Sequence, residues 1–311
     1  MAMAWRLFFG FGVLLSSLAL GKALRFRGLL SEKGSAGLVR VAARYLSPVV
    51  LCLSMWRMNL REPTPWLLPL VGFAMALSTL PPAWAMGRWL GLSRPQKGTF
   101  LTAAFFSNIG YLGGLLVFAL FGETGYAFSQ LYLVFFTPAF YTLGFWLAAR
   151  YGSLEGKSAR DAAADAQLRW YPFLGLIAGA GLSLAGIPRW DGFHHLNHVL
   201  IPLESALYLT VIGSQLKLVS PARFLKACLA QSAIKFVYTP LVGWLLLTWL
   251  GIHGLPRQVV LLLSATPVAV SPLLLPLLFG VDQKLMSALW WFTTALSVVW
   301  LAVWIPCILW L

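Results

Sequence analysis

Two apolar stretches of this sequence carry polar residues at their centres. The first reads Ser107-Asn108-Ile109-Gly110-Tyr111-Leu112-Gly113, the second Ser264-Ala265-Thr266-Pro267-Val268-Ala269-Val270-Ser271-Pro272. Amide and hydroxyl groups offer hydrogen bonds, and Gly and Pro release backbone groups from helical pairing, so both stretches suit binding of a small polar ligand. Two ionisable residues also lie inside apolar runs. Glu204 follows Pro202 by two residues, and Lys235 sits near the centre of its run. A charge at such depth is functional or paired: Glu204 is a candidate proton carrier, Lys235 a candidate anion attractor, and the two together a candidate ion pair. Glu204 close enough to the interface to stay wet is the bland alternative. His194, His195 and His198 have spacing that would place ring nitrogens on one helix face, but Asp191 is the only other metal-ligating residue beside them. Interfacial histidines are therefore expected, with no metal site and no cofactor. Cys52, Cys228 and Cys307 all fall in apolar runs and read as small hydrophobes.

The elements that position these residues follow from composition. The chain has 311 residues, 59% hydrophobic and 10% charged, with a mean hydropathy of +0.79. A soluble domain of this length must keep a polar surface, so the class is an all-α polytopic membrane protein. Crossing the hydrocarbon core takes ~20 apolar residues. Ten segments qualify: 4–23, 36–58, 65–88, 98–121, 124–150, 170–187, 196–217, 223–250, 257–279 and 285–310. In the first, Lys22, Arg25 and Arg27 follow the apolar run, which favours an uncleaved span over a signal peptide. Of the 23 Lys and Arg, only Arg6, Arg57, Arg61, Arg189 and Arg257 lie on one side of the ten-span layout. Lys235 is within a span, and all the others lie on the opposite side. This bias predicts a cell (inner) membrane protein with both termini outside, and it explains the net charge of +14 without nucleic acid.

Ten spans divide into five and five, and an odd number inverts the second half. The halves are 1–150 and 170–311, joined by a cytoplasmic linker over 151–169. The run from Gly114 to Gly122 aligns without gaps to that from Pro272 to Gly280, about half a chain later, with Phe-Gly closing both. In this frame Asn108 and Gly110 reach ~15 Å into the bilayer from the inside, and Thr266, Pro267, Ser271 and Pro272 reach similar depth from the outside. Half-helix N-termini with free N–H groups would then face one point, an arrangement suited to a carboxylate. Matching interruptions in two halves are a sequence pointer to a transporter's binding site, against the alternative of two simple kinks. Gly175, Gly179 and Ser183, four residues apart, predict close helix packing.

Competing classes are weaker. An intramembrane enzyme needs paired carboxylates, a His pair with Glu, or a nucleophile with its base. Of nine acidic residues, all but Glu204 fall in expected loops or span ends, and no such cluster is visible. A membrane receptor is distinguished from a transporter by measured flux.

At Ser107-Asn108-Ile109-Gly110-Tyr111-Leu112-Gly113 and at Ala265-Thr266-Pro267-Val268-Ala269-Val270-Ser271 the chain resembles the auxin efflux carrier family of permeases. Ile212-Gly213-Ser214-Gln215-Leu216 and Lys235-Phe236 before Pro240 fit the same pattern, so the resemblance covers nearly the whole chain. It implies two inverted five-helix repeats, with the fourth and ninth helices broken and crossing, and elevator-like movement of a small organic anion. By the same likeness Asn108 and Gly110 would contact substrate and Pro267 would set the second break; with Tyr111, Thr266 and Ser271 from the residues themselves they are the substrate-binding candidates, and Glu204 and Lys235 remain the coupling or charge-pair candidates. Many relatives carry Asn where this chain has Ser271. The related bile acid sodium symporters place a Glu and a Gln on the ninth helix, whereas no carboxylate lies between Val259 and Gly280 here. Proton coupling or uniport is thus expected before sodium coupling. The partners expected are an organic anion, a proton and the lipid bilayer, and a homodimer is compatible with all of this.

Overall fold

The computed structural model describes residues 2–153, 170–215 and 219–310. Most of the expected linker, from residue 154 to 169, lies outside the described residues. Secondary structure among the described residues is helical apart from one isolated antiparallel bridge between Ser107 and Val268. Among the described residues six helices are long and apolar enough to cross a membrane: Phe8–Phe26, Lys33–Arg57, Thr64–Trp89, Ile109–Tyr151, Gly192–Gln215 and Gln283–Trp310.

Ten full-length spans were expected, and the difference has local causes. The fourth expected span is interrupted: the Arg94–Phe105 helix stops, and helical structure resumes at Ile109. The ninth is cut into Gly254–Ser264, a 3-10 turn at Ser271–Leu274 and Leu275–Phe279. The sixth, Tyr171–Leu184, has only 14 residues, about 21 Å of helix. In the eighth, Pro240 lacks an N–H, and the turn before it, Ile234–Tyr238, widens to a π-helix. The Thr239 hydroxyl takes up the Ile234 carbonyl there at 2.7 Å.

The chain forms two compact units that cut across the expected halves. One comprises Met1–Leu67, Gly110–Leu131 and Ala163–Leu216; the other comprises Leu68–Ile109, Tyr132–Ala162 and Lys217–Leu311. In the first, small residues let backbones meet. A Cβ on Gly175 would fall 2.0 Å from the Pro48 carbonyl oxygen, and one on Gly179 would fall 2.2 Å from that of Cys52. The Ser183 hydroxyl donates to the Met58 carbonyl at 2.5 Å. The four-residue stripe is thus the contact line of Tyr171–Leu184 against Ser47–Arg57. Gly213 repeats the device in the Ala2–Phe26 and Gly192–Gln215 pair, where its Cβ would lie 2.1 Å from the Leu18 carbonyl oxygen.

The core of the second unit is aromatic. Phe106 sits edge-on to Phe105, Phe136 and Phe140 with ring centroids 4.7, 5.1 and 5.3 Å away, which favours the quadrupoles of all four rings. These rings pack with Ala269, Leu275 and Phe279 from the other broken helix. Packing there holds both interruptions in one unit.

Candidate functional site: a crossing of two broken helices

The interruptions meet within the second unit. The Asn108 N–H donates to the Pro267 carbonyl at 2.8 Å, and the Ala269 N–H donates to the Phe106 carbonyl at 3.0 Å. These two bonds make the short bridge between Ser107 and Val268. The Val268 N–H donates to Thr293 Oγ1 at 3.2 Å, from the Gln283–Trp310 helix. Unwound backbone inside a membrane protein is tolerated when protein groups satisfy it, and here each broken helix largely satisfies the other. The N–H groups of Asn108 and Ala269 are thus taken up by the crossing, and that of Val268 by Thr293.

Lys235 supplies the charge at this point. Its side chain is fully buried, and Nζ donates to the Ala104 carbonyl at 2.6 Å and to Ser107 Oγ at 2.7 Å. Ala104 lies in the last turn of the Arg94–Phe105 helix. Carbonyls at a helix C-terminus carry about half a negative charge, so the ammonium caps that end electrostatically as well as by hydrogen bonding.

The other candidates divide as follows. Asn108 is buried at the bridge. Thr266 is buried, its hydroxyl donating to the Leu263 carbonyl at 2.7 Å, so it caps the Gly254–Ser264 helix. Pro267 provides the carbonyl that receives Asn108, and Ser271 is half-buried at the start of the following 3-10 turn. Gly110 and Tyr111 belong to the first unit, where the Tyr111 ring lies 4.8 Å from that of Tyr208.

Glu204 also belongs to the first unit and is buried. The Ser47 hydroxyl donates to it, the Tyr126 hydroxyl donates at 3.3 Å, and Tyr208 OH is 3.1 Å from Ser47 Oγ. Glu204 and Lys235 each find partners inside their own unit, so neither depends on the other for hydrogen bonding. Ser47, Tyr126 and Tyr208 had no sequence signal, because a hydroxyl in an apolar run is unremarkable until its partner is known.

Glu123 was expected in a loop, yet it is buried. Arg189 grips it in bidentate fashion at 2.5 and 2.8 Å, Asn197 donates at 2.6 Å, and His194 Nδ1 lies 3.0 Å away. Glu123, His194 and His198 bring ligand-type atoms within 4.8 Å of one another. Arg189 already neutralises the carboxylate, and Arg57 Nη1 stands 3.0 Å from His194 Nδ1. The cluster is thus read as an arginine-balanced network that joins the ends of several helices.

Comparison with known proteins fits this geometry. Residues 197–305 match a family model described as membrane transport protein. An uncharacterized transporter of Methanocaldococcus jannaschii is 27% identical over 245 residues, spanning 76% of this chain and 77% of its own length. Another, of Methanothermobacter thermautotrophicus, is 26% identical over 290 residues, spanning 92% and 93%. The chain is thus similar, over its second half, to membrane transport proteins and, over most of its length, to two archaeal transporters. These likenesses point to a membrane transporter and not to an enzyme. The matched segment contains Lys235, the whole second break and Thr293, so the likeness covers half of the crossing described above.

Proposed function

We propose that this permease is a secondary transporter that moves a small organic anion across the cell membrane by elevator-type alternating access. The observation that carries the proposal is the crossing itself. Two interrupted helices exchange backbone hydrogen bonds at Asn108, Pro267 and Ala269, with the buried ammonium of Lys235 beside them. Irregular backbone and a positive charge at one buried point are what a transporter uses to bind an anion.

The ten-span, inverted-repeat reading draws support from paired features. Gly122 and Gly280 each follow a Phe and both take left-handed φ, 67° and 72°. The helix of the third expected span is interrupted at Thr79 before Pro81 and Pro82, and that of the eighth widens to a π-turn before Pro240. In this reading the unit that holds the crossing moves and the other is the scaffold. Glu204 is the proton carrier: it is a buried carboxylate whose hydroxyl partners Ser47 and Tyr126 can serve either protonation state by rotating.

The test is flux. Carboxylic acids that raise the melting temperature of the purified permease are selected and loaded outside proteoliposomes. Uptake should be saturable and fall at least tenfold in Asn108→Ala. Binding without flux would indicate a receptor instead. Where uptake follows a pH gradient, Glu204→Gln should abolish that dependence; an unchanged pH profile in this variant removes Glu204 from the mechanism.

A further inference from the structure

The second unit also carries a groove whose lining includes none of the residues of the crossing. Its floor is Leu101 of the Arg94–Phe105 helix, and its walls are the Leu80–Trp89 and Phe145–Tyr151 helices, both packed on that floor helix. The groove encloses about 510 Å³, within the roughly 300–1,000 Å³ of small-molecule sites. Leu80, Leu101 and Leu147 give it an apolar bed, and Trp84 and Trp146 stand one on each wall, both more than half exposed. Tryptophan favours the boundary of a membrane, where its ring meets acyl chains and its N–H meets headgroups.

Positive charge gathers at one end of this groove. Arg88 follows Trp84 by one turn and Arg150 follows Trp146 by one turn, each in the last turn of its helix. The Arg88 guanidinium carbon lies 5.6 Å from the centre of the Trp84 ring. Arg150 lines the groove itself, and its carbonyl accepts from Arg94 Nη2 at 2.8 Å. Lys97 belongs to the same end, its Cγ 3.9 Å from where a Cβ on Gly87 would stand, beside Arg88. Among the described residues none of these four cations takes part in an ion pair. A helix C-terminus favours a cation, which accounts for Arg88 and Arg150. It does not account for Arg94 and Lys97, which stand in the first turn of the floor helix with no acidic residue beside them. There the helix dipole and the cations all favour an anion.

We propose that this groove holds one anionic phospholipid, with an acyl chain along Leu80, Leu101 and Leu147 and its phosphate on Arg150 and Arg94. Guanidinium groups offer paired N–H donors that match phosphate oxygens, and Arg88 and Lys97 supply further positive charge. A free anion has no use for the leucine bed, and a zwitterionic lipid leaves the cations unbalanced. The headgroup then sits at the ends of the Thr64–Trp89 and Ile109–Tyr151 spans, on the side that charge bias assigns to the cytoplasm. The inference is independent of which solute the crossing carries.

The full-length protein is stripped of lipid in detergent and titrated with phosphatidylglycerol or phosphatidylcholine of identical chains, and native mass spectrometry reads the first lipid bound. The wild type should bind phosphatidylglycerol about tenfold more tightly, the worth of one charge-assisted contact. Arg150→Gln should erase that preference and still fold, because the side chain is exposed and only the backbone carbonyl is bonded. Ala85→Trp fills the groove from an exposed position and should weaken both lipids. Arg223→Gln removes an exposed cation of the same unit outside the groove and should change neither. Equal affinity of the wild type for the two lipids overturns the proposal, and so does a preference that survives Arg150→Gln or falls as far in Arg223→Gln. Unchanged binding in Ala85→Trp overturns it too, because the charges then act without the groove. If Ala85→Trp does not fold, Trp146→Ala, at an exposed position, takes its place with the same expected loss. Displacement of the lipid by an equal concentration of inorganic phosphate would make this a site for a free anion. A wild-type dimer that Ala85→Trp splits would make it a contact with a second copy, and either result overturns the lipid assignment.

Discussion

Glu123 and Arg189 make the tightest charge pair among the described residues, and both side chains are almost wholly removed from solvent. Breaking a buried pair by neutralising one member costs about 3–5 kcal/mol, because the other charge stays buried without compensation. Glu123→Gln should therefore lower the melting temperature markedly, and Glu123→Gln with Arg189→Met should restore part of the loss. An additive double variant would show that the pair is not coupled. Thr293 offers a subtler case. Thr293→Val keeps the shape of the side chain but leaves the Val268 N–H unmet, a cost of about 1–3 kcal/mol. The loss should appear as reduced flux at near-normal folded yield, measured in proteoliposomes. These two residues also differ in how readable they were. Glu123 stands between two apolar runs, and nothing local announces that Arg189, 66 positions away, will fold over it. Asn108 and Lys235 stood out because amides and ammonium groups are costly in apolar sequence wherever their partners lie.

Among the helices, the breaks and the contact stripes follow different rules. A stripe of small residues reports packing directly, since only the absence of a side chain lets backbones touch. Gly179→Ala would push a methyl group into the Cys52 carbonyl and should cost about 1–3 kcal/mol as overpacking. Gly181→Ala on the same helix meets nothing within 4 Å and should leave folded yield and melting temperature unchanged or slightly raised. Fluorescence-detected size exclusion of the two variants checks this contrast. Equal behaviour would mean that the stripe does not hold the helix pair together. The breaks were visible as Gly, Pro and Asn in apolar runs, but their hydrogen-bonding solution was not. The N–H groups of Asn108 and Ala269 go to carbonyls of the opposite break. That pairing needs a neighbour over 150 residues distant, and no local pattern encodes it.

For the whole molecule, orientation is the property still carried by charge bias alone. With Cys52, Cys228 and Cys307 replaced by Ser, Asp191→Cys should react with a membrane-impermeant maleimide on intact cells. Lys284→Cys should react only after the membrane is opened. Both positions are solvent-exposed, so access and not burial decides the labelling. The reverse pattern would invert the topology. The class, the apolar segments and the sites of the two interruptions were determined by sequence alone, because hydrophobic length and the cost of polar groups in lipid are properties of short stretches. The tertiary structure decided which groups pay that cost. It joined Asn108 to Pro267, set Lys235 on the end of a half-helix, gave Glu204 its hydroxyl partners in a different unit, and left the Gln231 amide unpartnered. A hydrogen bond has a reach of about 3 Å whatever the separation in sequence, so only the folded chain can say which donor meets which acceptor.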